Sequence, residues 1–195
     1  VREKQSFEDA LRYYKDFDGA NGGMIRGFIN PCQIAVTRPE ILRKAKDFAV
    51  EANAPMRLHA CEEDVEWKYM IPKYGKTTID FFEDWDMLCP QLLIPHGITL
   101  KNSDIKKMAA HNMTVIQTPI AEANYGAGLN SFAKYQAMGI NMTLGTDAQP
   151  VDMIQNMRLA WDIDRWCEWH YFFTRYNEDD TMTDLLADEP AWPKT

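Results

Sequence analysis

An α/β fold organised on a parallel sheet is what this sequence predicts. From residue 24 onward short β-rich runs alternate with helical patterns, which is how strands joined by crossover helices read in a sequence. Five runs qualify, and each ends in polar residues: MIRGFIN (24–30), PMRLH (55–59), LLIPH (92–96), MTVIQT (113–118) and INMTLGT (140–146). A closed barrel of such units takes eight strands, so these five account for part of one.

Taken in order, the chain opens at Val1 inside a polar, helix-like pattern. Of the strand runs, LLIP and the VI of MTVIQT suit strands buried on both faces, whereas RLHA alternates. The clearest helix is RPEILRKAKDFAVEAN, where Ile41, Leu42, Ala45, Phe48, Ala49 and Ala52 share one face at 3.6-residue spacing. Thr37 followed by Glu40 forms a capping box in front of it. A second helix follows Asn102 and Ser103, with Ile105, Met108 and Ala109 facing inward, and a third, SFAKYQAM, stops at Gly139. The last long helix covers 152–173, and its Met153, Met157, Trp161 and Trp166 are expected in the core and packing surface. Two prolines in DEPAWPKT make Asp188 to Thr195 a tail.

The 195 residues, 46% hydrophobic and 12% aromatic, carry enough apolar material for one core. Residues 1–195 are therefore expected to form a single domain. A net charge of −8 gives no basic face for a phosphate backbone, which argues against nucleic acid polymers as partners. No apolar run approaches the length that spans a bilayer, and no charged-then-apolar leader is visible, so a cytoplasmic enzyme without membrane contact is expected. Cys32, Cys61, Cys89 and Cys167 form no CxxC pair. They are expected to be reduced and mostly buried.

Three side chains with useful chemistry sit at predicted strand ends: His59, His96 and Asp147. In parallel α/β architectures that edge collects binding and catalytic groups. Each has a plainer reading too, since a strand-end histidine can simply bond the backbone and Asp147 in TDAQP can cap a helix. His111 reads as a surface residue near a helix C-terminus, and His170 lies among helical aromatics; neither is assigned a catalytic role. Ser103 and Ser131 lack a nucleophile-elbow motif. HACE, 59–62, is sharper. If His59 ligates a divalent metal where its strand ends, Glu62 reaches over the same mouth and can move a proton between water and leaving group. Otherwise Glu62, Glu63 and Asp64 are an acidic first turn favoured by the helix dipole.

LHACEE, then YGKTTIDFFEDWDML, then LLIPHGITLKNSDIKKMAAHNMTVIQTP, then GAGLNSFAKYQAMGINMTLGTDA followed by DMIQNMRLA, resembles the later half of the amidohydrolase superfamily barrel. The similar branch contains chlorohydrolases, cytosine deaminases and thioadenosine or adenosylhomocysteine deaminases, and the resemblance covers about residues 20–165. It implies a (β/α)8 TIM-type barrel of which this chain holds roughly strands four to eight. It implies that His59 is a metal ligand, that Glu62 shuttles protons, that His96 orients and polarises the substrate, and that Asp147 both ligates the metal and acts as base. The metal would be zinc, with iron or manganese as alternatives.

The sequence departs from the family pattern twice. No HxH pair occurs in the chain, so the pattern offers His59 and Asp147 alone where a catalytic zinc takes three protein ligands or more. The chain by itself is expected to bind metal weakly or not at all. Where relatives carry Pro-x-Ser-Asn, this chain has Pro119, Ile120, Ala121 and Glu122. The expectation overall is a metal-dependent hydrolase acting on a C–N bond of a small heterocyclic or amide-like substrate, with a catalytically incomplete fragment or a non-catalytic binding module of the same fold as the alternative. Unpaired barrel edges predict a homo-oligomer, or association with the missing part of the barrel.

Overall fold

A computed structural model describes residues 2–129, 131–148 and 151–179, with side chains described within 5–167. Helix α1 (Arg2–Phe17) leads through the four-residue turn α2 (Ala20–Gly23) to α3 (Pro39–Glu51) and strand β1 (Met56–Arg57). Then come α4 (Asp64–Tyr74), α5 (Thr78–Asp84), β2 (Leu92–Pro95), α6 (Asn102–Ala110), β3 (Thr114–Gln117), α7 (Pro119–Asn124), α8 (Phe132–Ala137), β4 (Asn141–Leu144) and α9 (Met153–Asp179). The strands pair in parallel in the order β1-β2-β3-β4. This is a partial TIM-type barrel: four of the eight strands are present among the described residues.

The first predicted strand, 24–30, is not one. It contributes a single parallel bridge, Ile29 to Met56, and the chain then runs beside β1 through a second bridge, Gln33 to His59. On its outer side no strand among the described residues pairs with it. At Gly27 the Tyr14 ring lies 2.2 Å from where a Cβ would sit, so α1 packs directly on backbone there.

The sheet's outer face carries Met56, Leu58, Leu92, Ile94 and Val115, each fully buried. Helices cover it with Leu42, Ala45 and Ala49 of α3, Ile79 and Phe82 of α5, and Ile105 and Met108 of α6. At roughly 1.5–3 kcal/mol per buried large apolar side chain, this layer dominates the fold's stabilisation. The inner face is different: Arg57 and Leu93 are half-buried, and Asn141 and Thr143 of β4 are exposed.

Three local expectations need correction. Helix α3 begins at Pro39 with Arg38 as its N-cap and no side-chain cap bond, so Thr37 and Glu40 form no capping box; proline's fixed φ sets the first helical position instead. Asn102 and Ser103 lie inside α6, whose first turn is closed by Asp104 accepting the Lys101 backbone N–H at 3.0 Å. Among the described side chains of α9 the buried ones are Asn156, Ala160 and Asp164, and Met153, Met157, Trp161 and Trp166 are exposed. Over its described side chains the helix thus buries two polar residues and turns its large apolar ones outward.

Cys61 and Cys89 are buried, Cys32 is exposed and Cys167 half-buried, all as free thiols. Among the described residues no helix is long and apolar enough to cross a membrane. The His170 side chain and the tail 188–195 lie outside the described residues.

Candidate active site

Every strand from β1 to β4 ends on the same edge, and the residues just beyond those ends converge. His59 follows β1 on the face of Arg57, two residues being one period of a strand. Its Nδ1 sits 3.0 Å from the Cys32 carbonyl. A carbonyl only accepts, so Nδ1 donates and Nε2 keeps its lone pair free to bind a metal or a proton.

Beyond His59 the chain turns at Cys61, whose φ of 57° is rare for a residue with a side chain. Glu66, one turn into α4, holds that turn: its carboxylate accepts the Cys61 N–H at 2.9 and 2.8 Å and the Thr78 hydroxyl. Burial raises the Glu66 carboxyl above its ordinary value, against the opposing hydrogen bonds from Thr78, Cys61 and Glu62. The turn aims Glu62 across the mouth. Gln33 Nε2 donates to Glu62 Oε2 at 3.2 Å, leaving Oε1 3.4 Å from His96 Nε2.

His96 follows β2 with a φ of 69°, and Asp147 follows β4 with a φ of 54°. Strain of this kind costs about 1–3 kcal/mol per residue and gathers at functional sites. Gly145 permits the approach of β4 to β3, since a Cβ there would meet Ile116 Cγ2 at 3.1 Å. His96 is 3% exposed. Its Nδ1 lies 2.9 Å from Thr118 Oγ1 and 3.5 Å from Glu122 Oε1, and its Nε2 lies 3.9 Å from Asp147 Oδ2. Among the buried side-chain atoms, Nε2 has no hydrogen-bond partner. Burial would lower the imidazole, but the Glu122 hydrogen bond and the charges of Glu62, Glu122 and Asp147 outweigh it and hold the ring above its ordinary value.

The plainer readings of these residues fare unevenly. Helix α9 is capped by Asp152, which accepts the Gln155 N–H at 3.0 Å, so Asp147 is not its cap. His59 does bond backbone through one nitrogen, and His96 bonds a side chain. His111 sits exposed at the end of α6 with Nδ1 2.9 Å from the Lys107 carbonyl. Ser131 is spent on structure, donating to Asp164 at 2.6 Å and accepting the Lys134 N–H. Ser103 lies within α6. The contacts of Gln33, Glu66, Thr118 and Glu122 carry no sequence signal beyond the Pro119–Glu122 departure, because their partners are set by topology.

His59, His96 and Asp147 line an open cavity of about 410 Å³ with Arg57, Ile116 and Thr118. That volume accommodates a small molecule. The N/O donor set of His59 and Asp147 suits a divalent metal, yet among the described residues no three His, Cys, Asp or Glu side chains converge to hold one. The fit is incomplete: further ligands would have to come from outside the described residues.

The profile of the amidohydrolase family matches residues 3–185. A 5-methylthioadenosine/S-adenosylhomocysteine deaminase from Thermococcus sibiricus is 27% identical over 164 residues, covering 81% of this chain and 39% of that protein. A 5'-deoxyadenosine deaminase from Methanosarcina acetivorans is 28% identical over 157 residues, covering 78% and 36%. The crystal structure of an adenosine deaminase from Xanthomonas campestris with bound zinc superimposes with a TM-score of 0.76 at 18% identity, over 82% of this chain and 37% of that one. The chain thus spans under two fifths of the length of each.

Proposed function

We propose that this chain, which belongs to the amidohydrolase family, supplies one side of the active site of a metal-dependent hydrolase. The reaction is deaminase-type: water attacks a carbon bearing an amine or similar leaving group on a small heterocyclic or amide-like substrate. The observation that carries this reading is the buried, unpartnered Nε2 of His96, set between Glu62 Oε1 at 3.4 Å and Asp147 Oδ2 at 3.9 Å. His96 and Asp147 line the cavity, and Glu62 meets His96 beside it.

A divalent metal, as the zinc of the Xanthomonas relative suggests, would acidify the attacking water and polarise the reacting carbon, with His59 and Asp147 as this chain's ligands. Asp147, partly open to the cavity, accepts a proton from the attacking water. His96 meets the charge developing on the substrate through Nε2. Glu62, held by Gln33, delivers a proton to the departing nitrogen. On this reading residues 1–195 form one partial barrel domain, cytoplasmic, whose open inner face associates with a second copy or with the rest of a barrel.

A second reading, a non-catalytic small-molecule binding module or incomplete fragment of the same fold, is favoured by the lack of three converging donors among the described residues. The two separate in one assay. The protein is prepared with whatever sequence flanks it in its organism, supplied with zinc, manganese or iron(II), and offered aminopurine nucleosides, aminopyrimidines and chlorotriazines. Release of ammonia or chloride above the metal-only control supports hydrolysis. Ligand binding without release across the whole panel supports the module.

A further inference from the structure

Helix α7, directly after β3, places a carboxylate behind His96, on the side away from the cavity. Glu122 is 2% exposed, and its Oε1 accepts the Thr118 backbone N–H at 2.8 Å and lies 3.3 Å from Thr118 Oγ1. Its Oε2 accepts the Leu129 N–H at 3.4 Å. The same Thr118 Oγ1 is 2.9 Å from His96 Nδ1. A hydroxyl has one proton to give, and two arrangements are possible.

If Thr118 donated to His96, the hydroxyl lone pairs would face Glu122 Oε1 at 3.3 Å, and the bare Nδ1 would face the same oxygen at 3.5 Å. Both would be acceptor-to-acceptor contacts in a buried place, where they are costly. If Thr118 donates to Glu122, its oxygen accepts from a protonated Nδ1, and every contact on the Nδ1 side of the ring is a donor meeting an acceptor, with the Nε2 lone pair left facing Glu62 Oε1 at 3.4 Å. We propose that Glu122, acting through the Thr118 hydroxyl, is a positioning residue that fixes the His96 proton on Nδ1 and sets Nε2 as the ring nitrogen turned toward Glu62 and Asp147. This rests on His96 serving the site as described above. It adds that the ring neither flips nor exchanges tautomers during turnover, so the substrate always meets the same nitrogen.

An imidazole in water favours the opposite tautomer, with the proton on Nε2, which makes the inference measurable without any assay of turnover. The full chain, labelled with ¹⁵N at histidine, is examined by long-range ¹H–¹⁵N correlation at alkaline pH, where the ring is neutral. His96 is assigned by the signals that survive in the single variants His59→Asn, His111→Asn and His170→Asn. The expected result is a protonated Nδ1 and a bare Nε2 in the wild type and in Thr118→Ser, with the major tautomer reversed in Thr118→Val. An Nε2-protonated ring in the wild type, or an unchanged tautomer in Thr118→Val, would overturn the relay. Should Thr118→Val fail to fold, the wild-type and Thr118→Ser spectra still decide. A wild-type ring with the proton on Nδ1 in a protein that hydrolyses nothing would remove the functional reading alone.

Discussion

Glu62, ahead of α4, is aimed by two residues: Gln33 bonds its carboxylate, and Glu66 clamps the Cys61 turn before it. Glu62→Gln keeps the shape and the Gln33 contact but cannot carry the proton, so turnover by the protein in its native flanks should fall roughly 10²- to 10⁴-fold. A rate within a few-fold of wild type would withdraw the shuttle role. Glu66 predicts a pH dependence. Its folded carboxyl titrates above the ordinary 4.5, so the folded state binds the proton more tightly than the unfolded chain. The stabilisation from that proton is complete below 4.5 and is lost as pH rises through the folded value. Glu66→Gln has nothing to titrate, and the stability advantage of wild type over this variant, read by urea denaturation, should shrink as pH rises from about 4 toward neutrality. An advantage that grew with pH would contradict it. His59, Glu62, His96 and Asp147 were legible as candidates because each interrupts or follows an apolar run where a strand ends. Thr118 and Glu122 were not, because a contact from His96 across 22 residues depends on the β2 to β3 pairing.

Helices and strands were legible where one periodic face met the sheet, as in α3, whose Leu42, Ala45 and Ala49 are buried as their spacing predicts. The segment 24–30 shows the limit: its composition suits a strand, but pairing on one side alone reduces it to a bridge at Ile29. In α9 the apolar residues suggested a buried stripe, whereas Asn156 and Asp164 are the buried polar positions and are tied to neighbours. Asn156 accepts the Ile120 N–H at 3.2 Å, and Asp164 accepts both Ser131 Oγ–H and the Ala133 N–H. These bonds pin α9 over α7, which carries Glu122, and over the start of α8. Ser131→Ala removes both the cap of α8 and the Asp164 partner, and should lower stability by about 1–2 kcal/mol in chemical denaturation. A midpoint unchanged from wild type would show that α8 and α9 are held by something else.

The outer face of the sheet is closed by helices, but the inner face, with Asn141 and Thr143 exposed, is open. A single-sided sheet whose β4 edge has no paired strand among the described residues invites a partner. The chain alone should therefore associate as concentration rises, read by multi-angle light scattering, and a monomer across the range would count against it. With two of its own donors at the mouth, it should also retain well under one equivalent of zinc after gel filtration, read by elemental analysis; a tightly held stoichiometric ion would show a ligand set complete within the chain. The partial barrel was legible in the order of strand-end residues, but which face lacks its cover was not, since alternation in PMRLH and INMTLGT is the same whichever layer is missing.

The claim that joins these scales is that the strand ends bring His59, Glu62, His96 and Asp147 to one hydrolytic mouth. Its most direct test is the turnover of Asp147→Asn beside wild type, in native flanks with added metal, on whichever panel substrate is hydrolysed. The account predicts a loss of about 10²-fold or more with the unfolding midpoint unmoved. Turnover at close to the wild-type rate would contradict it.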